Sequence, residues 1–335
     1  MLFLDIPWVA DNPTSVGATI SLFLFNKLYL LLIALCVFLF PGIILRVKAL
    51  ASGRKGAGIL QPWKDMWRSV RKGSVYSTTT SIIFQIAPTI YLASVLCAVA
   101  LLPFDGQPSL LSFKGDFVFF AYILALGRFF MVIAALDTGS PFEGMGANRE
   151  ALYGLLVEPS FFILVGSLAM LTGYTSFQDI YTHLNFEDDY FEVVLGLLAT
   201  YLLVQIALIE NSRMPVDDPT THLELTMIHE VMILDNSGID LAMVQLSSHI
   251  KFVIYGTLIA NFFLVKQILN DNFTFLVNSL IFVGINVLFA ITIGWVESFR
   301  ARNPLPKNPQ FIIALSSVAV IIFFTVLIIT QKYIS

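Results

Sequence analysis

The chain has 335 residues, 57% of them hydrophobic and 13% charged, with a mean hydropathy of +0.82. Together with apolar runs near twenty residues, that composition excludes a soluble domain and identifies an integral membrane protein. The net charge of −4 is segregated loop by loop and says little about partners, none of which is expected to be nucleic acid. Cys36 and Cys97 lie in apolar stretches without CxxC or Cys/His spacing, so no iron–sulfur or zinc site is expected in this chain.

Residues 1–17 lack the basic region and cleavage site of a signal peptide and read as an external lead-in. The first span is expected over about 19–40, ending at Pro41-Gly42, with Lys27 snorkelling to the outer interface. The segment 46–72 then carries eight Lys or Arg residues against the single acid Asp65, which assigns its side to the cytoplasm. Within it Leu60, Trp63, Trp67 and Val70 recur at helical spacing, predicting a short amphipathic helix at the interface over 59–70.

Further spans are expected over about 75–102 (interrupted by Pro88), 117–136 (containing Arg128), 151–172 (containing Glu158-Pro159) and 192–209. The glycine-rich stretch 137–150 reads as an inner loop, and 173–191, with four acids and no Lys or Arg, as an outer one. Spans six to eight are expected over about 247–269 (beginning near Lys251), 275–296 and 311–330, with 298–310 as the last inner loop. About thirteen basic residues then fall inside and three outside, consistent with both termini on the outer side. The expected fold is an all-α integral membrane protein of about eight transmembrane helices. It carries a cytoplasmic amphipathic helix and a polar helical insert between spans five and six.

That insert, 210–246, is the polar centre of an apolar chain. Its first part holds Glu210, Asp217, Asp218, Glu224, Glu230 and Asp235, with His222 and His229 among them. Asp218-Pro219 reads as an N-cap followed by proline at the first helical position, and Ser237-Gly238 as a stop, predicting a helix from Pro219 to about Asp235. On it His222 and His229 share a side, while Glu224 and Asp235 take the other, so the helix should be packed on both. The i, i+7 histidine spacing is poor for a metal, and proton transfer suits imidazole better. For Arg213 and Asp217 a mutual ion pair across Pro215 is the plain structural alternative.

A central arginine costs about 2.5–3.5 kcal/mol on insertion scales, so Arg128 should face protein or water, either as a structural partner of a buried acid or on an ion path. Glu158 beside Pro159 is read as a proton-relay carboxylate, its alternative being a hydrogen-bonded acid that only joins helices.

The pattern Pro215-x-Asp217-x-Pro219, then Glu224-Leu225, then an acid before Ser237-Gly238 resembles the membrane subunit of respiratory complex I that borders the quinone cavity. Leu60-Gln61-Pro62-x-x-Asp65, the glycine-rich stretch 144–149 leading to Glu158, and Arg213 agree in order. The same family includes the matching subunit of membrane-bound [NiFe]-hydrogenases such as formate hydrogenlyase. Where quinone-reducing members carry acids after the second proline, this chain has Thr220, Thr221 and His222, which looks like the hydrogenase branch and argues against a quinone site.

The resemblance implies a proton or ion path through Glu158, Glu210, Glu224, Glu230, Asp217, Arg128, His222 and His229, and a docking or cavity surface at Arg46, Gln61, Trp63, Asp65, Arg149 and Arg213. It further implies peripheral hydrogenase-like large and small subunits, a ferredoxin-like iron–sulfur subunit and antiporter-like membrane subunits. Iron–sulfur clusters and the NiFe centre would lie in those partners, and no cofactor in this chain. Anionic lipid is the alternative partner of the basic segment. The first reading is thus an anchor and ion-coupling subunit of a membrane-bound hydrogenase in a bacterial or archaeal cytoplasmic membrane. The alternatives are a quinone-site subunit and, against the missing internal repeat, a free-standing transporter.

Overall fold

A computed structural model describes residues 13–104, 109–184, 190–217, 227–264 and 272–334. The elements are all helical: α1 (Pro13–Ala51), α2 (Gln61–Val70), α3 (Ile82–Ala100), α4 (Asp116–Asp137), α5 (Pro141–Thr172), α6 (Phe177–His183), α7 (Tyr190–Glu210), α8 (His229–Met232), α9 (Gly238–Ala260), α10 (Asn272–Phe299) and α11 (Lys307–Ile334). Seven of them (α1, α3, α4, α5, α7, α10 and α11) are long and apolar enough to cross a membrane.

At 23 residues α9 is long enough to be an eighth, since 1.5 Å per residue gives about 35 Å. Gln245, His249 and Lys251 lower its hydropathy, yet from Ile250 to Ala260 every residue is buried. Helices α1, α2, α3, α7 and α10 all pack against it. Polar side chains are tolerated there because they face protein. Around this axis α3 pairs with α4, α5 with α11 and α1 with α10. Phe40 of α1 bridges Phe252 of α9 and Phe289 of α10, at ring centroid distances of 5.3 and 5.5 Å.

Several boundaries differ from the sequence expectation. Helix α1 runs through Pro41-Gly42 instead of ending there. A Cβ at Gly42 would collide with the backbone of Ile59, so glycine lets the returning chain lie directly on the helix. Arg46 and Lys48 therefore belong to the last turns of α1.

Helix α3 starts at Ile82, where Ser81 accepts the Ile83 N–H. The preceding strap is tied to the start of α9: Val75 N–H donates to Ser237 Oγ at 2.9 Å and Tyr76 Oη to Asp240 Oδ2 at 2.8 Å. The glycine-rich stretch expected as loop 137–150 is helical from Pro141 onward, with proline in the first turn where its missing N–H costs no helical bond. Helix α9 begins at Gly238, so Lys251 lies well inside it and not at its mouth.

The helix expected from Pro219 to Asp235 is, over its described part, the single turn α8 followed by a turn. The buried Asp217 carboxylate accepts the N–H groups of Ile228 and His229 at 3.0 and 3.2 Å, holding this piece against the end of α7.

Candidate functional site: a buried charge network beneath a polar cavity

Along α4 the buried residues Phe120, Leu124, Arg128, Met131 and Ala135 recur at helical spacing, so Arg128 points into the bundle with the apolar stripe. Its guanidinium pairs with both carboxylate oxygens of Glu210, the last residue of α7, and reaches Glu158 of α5 at 3.3 Å. From α9, Lys251 meets the same Glu210 carboxylate at 3.0 Å and donates to the Glu210 carbonyl at 2.8 Å. Two cations and two carboxylates from four helices thus form one network. A charge left alone in this environment would be costly, and each member supplies the compensation for another.

Gly154, one helical turn before Glu158, makes the contact possible. A Cβ there would collide with the Arg128 guanidinium. Burial is graded across the network: the Glu210 and Lys251 side chains are 4% and 3% accessible, that of Glu158 38%. A cavity of about 20 Å³ lined by Arg128, Glu158, Glu210 and Tyr255 lies on the Glu158 side, large enough for about one water.

Beyond Glu210 the chain turns sharply. Ser212 adopts φ +47°, a left-handed conformation that costs a non-glycine residue roughly 1–2 kcal/mol. Its hydroxyl donates to Glu150 of α5 at 3.0 Å. The turn leads into a cavity of about 250 Å³ at the α2 end of the bundle. Its walls include Asp65 of α2, Asn211, Ser212, Arg213 and Asp217 after α7, His229 and Glu230 of α8, and Gln245, Ser248 and His249 of α9. The His249 Nδ1 and Asn211 Oδ1 atoms are buried without a hydrogen-bond partner.

Most of the residues singled out in the sequence converge on these two places. Arg128, Glu158 and Glu210 make the network, while Asp217, Glu230, His229, Asp65 and Arg213 line the cavity. Trp63 stacks on Phe38 with centroids 3.9 Å apart and donates to its carbonyl at 3.0 Å, which fastens α2 to α1 beside the cavity. Gln61 donates to Asp65 at 2.9 Å. Arg149 donates to the Met227 carbonyl at 3.0 Å, and Arg46 to that of Lys55. His222 and Glu224 lie outside the described residues.

Two expectations are corrected. Arg213 and Asp217 do not pair with each other: Arg213 meets Glu297 of α10 at 3.2 Å and Arg302 meets Asp217 at 3.1 Å. Glu297 also takes Lys48 of α1 at 2.9 Å, so it joins α1, α10 and the turn after α7. Lys251, expected near a helix end, is a central member of the network. Its signal was a lone lysine followed by Phe-Val-Ile-Tyr with no nearby charge to pair with. Among the described residues no three His, Cys, Asp or Glu side chains are grouped to hold a metal ion.

Comparison with known proteins agrees with this architecture. Hydrogenase-4 component C of Escherichia coli is 32% identical over 227 residues, covering 68% of this chain and 70% of that protein. Formate hydrogenlyase subunit 4 of the same organism is 34% identical over 46% of this chain and 52% of its own length. An NADH-quinone oxidoreductase subunit of Bordetella pertussis is 22% identical over 62% of this chain and 60% of that protein. The match thus spans only about half to three fifths of the latter two relatives. A chain of the membrane-bound sulfane sulfur reductase, an archaeal respiratory membrane complex, shares the fold with a TM-score of 0.75 at 20% identity, over 91% of this chain and 99% of that one. The sequence relatives are by name a component or subunit of larger enzymes, the structural match is to an archaeal respiratory membrane complex, and the protein is a multi-pass membrane protein. The family model described as NADH dehydrogenase matches residues 26–331, and the chain belongs to that family, the one of complex I subunit 1.

Proposed function

We propose that the chain is the membrane anchor and ion-coupling subunit of a complex I-like membrane-bound hydrogenase. It would dock a peripheral electron-transfer arm and link that arm's redox chemistry to movement of H⁺ or Na⁺. One observation carries the reading: the polar cavity and the buried network are adjacent in the chain. Asn211 and Ser212 line the cavity and directly follow Glu210, while Ser248 and Phe252 line it on either side of Lys251. A charge or proton arriving in the cavity is then one residue from the Glu210 carboxylate, whose ionisation is balanced by Arg128 and Lys251. In low dielectric such a change propagates strongly.

Proton transfer would run from the cavity acids through Glu210 towards Glu158. Glu158 is the accessible end, and a carboxylate facing hydrocarbon is costly, so an antiporter-like membrane subunit is the partner that suits this flank. The basic segment 46–72 and the polar insert would carry the peripheral large, small and ferredoxin-like subunits. Those partners would hold the iron–sulfur clusters and the NiFe centre. By the excess of Lys and Arg on its loops this face is cytoplasmic and both termini are on the outer side of a bacterial or archaeal cytoplasmic membrane.

A quinone-site subunit is the second reading, favoured by the cavity's position between α2 and α9. Against it, the charged lining suits water and ions better than an isoprenoid tail. Affinity purification in mild detergent with mass spectrometry separates the two readings. A [NiFe] large subunit with ferredoxin-like proteins supports the hydrogenase, and NADH-oxidising flavoprotein subunits with quinone support the alternative. A chain recovered alone overturns both.

A further inference from the structure

The α10–α11 hairpin carries a feature that neither the network nor the cavity uses. At the end of α10, Trp295, Val296, Phe299 and Arg300 border an open cleft of about 420 Å³. Spacing explains it: residues four apart share a helix face, so Trp295 lies over Phe299 and Val296 over Arg300. The Trp295 and Phe299 rings meet edge to face at 5.2 Å, yet the two residues are 63% and 72% accessible. Across the hairpin the Arg300 guanidinium sits 5.5 Å from the centroid of the Phe311 ring. No carboxylate pairs with Arg300 or with exposed Lys307 among the described residues, whereas their neighbour Arg302 is engaged by Asp217.

We infer that this cleft binds one anionic phospholipid from the leaflet on the basic face. Its phosphate would be held by Arg300, with Lys307 nearby, and its acyl chain would lie on Trp295 and Phe299. Three properties coincide at one depth. An accessible Trp at the end of a spanning helix marks the headgroup level. The cleft walls are apolar apart from the guanidinium, which suits a chain-bearing molecule over a free anion. The cation–π contact holds the guanidinium in place without neutralising it, so its charge stays available. Positive charge without acid partners selects an anionic headgroup over a zwitterionic one.

Quenching of Trp295 fluorescence tests this in the full chain reconstituted in phosphatidylcholine vesicles. The Trp295-dependent signal is the difference between the wild type and Trp295→Phe. Brominated phosphatidylglycerol is expected to quench it at a mole fraction about fivefold below that needed for brominated phosphatidylcholine, the worth of roughly one basic side chain near the surface. Arg300→Gln should abolish that preference, and Arg300→Lys should restore much of it. Equal quenching by both lipids in the wild type overturns the proposal and leaves an ordinary lipid-facing aromatic pair. A photo-crosslinker at position 299 in the assembled complex checks the occupant: adducts with lipid support the site, and adducts with a partner protein overturn it.

Discussion

Lys251 reaches the carbonyl and the carboxylate of Glu210 together, at 2.8 and 3.0 Å, so one ammonium closes the end of α7 onto the middle of α9. Arg128 holds the other side of the same carboxylate. Glu210 is therefore the residue through which α4, α7 and α9 are joined.

Replacing Glu210 by Gln leaves two buried cations short of a counter-charge. Removing one partner of a buried pair costs about 3–5 kcal/mol, and Glu210→Gln should lower thermal unfolding in detergent by a corresponding amount. The double variant Glu210→Gln/Lys251→Met should recover part of that loss. A double-mutant cycle with coupling inside experimental error would mean that the two residues do not act as a pair.

Glu158 is the member least committed to structure, partly accessible and only 3.3 Å from one guanidinium nitrogen. Glu158→Gln is expected to assemble normally, with a stability change of about 1 kcal/mol or less. Redox turnover of the assembled complex should persist while turnover-driven acidification of vesicles is lost. Full coupling in this variant would remove Glu158 from the ion path.

Two glycines of α5 should respond in opposite ways to alanine. At Gly154 the new Cβ meets the Arg128 guanidinium at the nitrogen that faces Glu158, so the buried side chain must shift, and an overpacking loss of about 1–3 kcal/mol is expected. At Gly166 nothing lies within 4 Å, and Gly166→Ala should be neutral or gain up to about 1 kcal/mol through helix propensity. Parallel unfolding of the two variants makes the comparison, and equal behaviour would refute the steric account of Gly154.

Tyr76 donates to Asp240 at 2.8 Å, and that bond, more than burial, lifts its phenol above the ordinary value of 10.0. A raised folded value means that the contribution is fully present below the unfolded value of about 10 and fades as pH rises through the folded one. At 39% accessibility the contribution is small. Phenolate absorbance of Tyr76, taken as the difference from Tyr76→Phe, should titrate late, and Asp240→Asn should bring it back towards the ordinary range. A Tyr76 titration unmoved by Asp240→Asn would show that the strap is not held by this bond.

How much of this was legible in the sequence depends on how local each signal is. Hydropathy is local, so the membrane class and a short helix at 61–70 followed from residue order alone. Arg128, Glu158 and the polar insert also stood out there, because a charge in an apolar run is conspicuous wherever it points. Helix ends were harder. Pro41-Gly42 carries a stop signal that the chain overrides, because Gly42 is needed for the close approach of Ile59. The start of α5 was hidden by glycines that read as loop.

Partner choice depended wholly on tertiary structure. Arg213 and Asp217 are near in sequence and oppositely charged, yet they take Glu297 and Arg302, more than eighty residues away. Lys251 looked like an interfacial lysine until α9 was threaded through the centre of the bundle. A buried charge must find its counter-charge across helix packing, and sequence order specifies the charges without specifying which helices meet. Composition thus determined that this protein would carry charge inside a membrane, and only the packing of α4, α5, α7 and α9 decided which charges stand together.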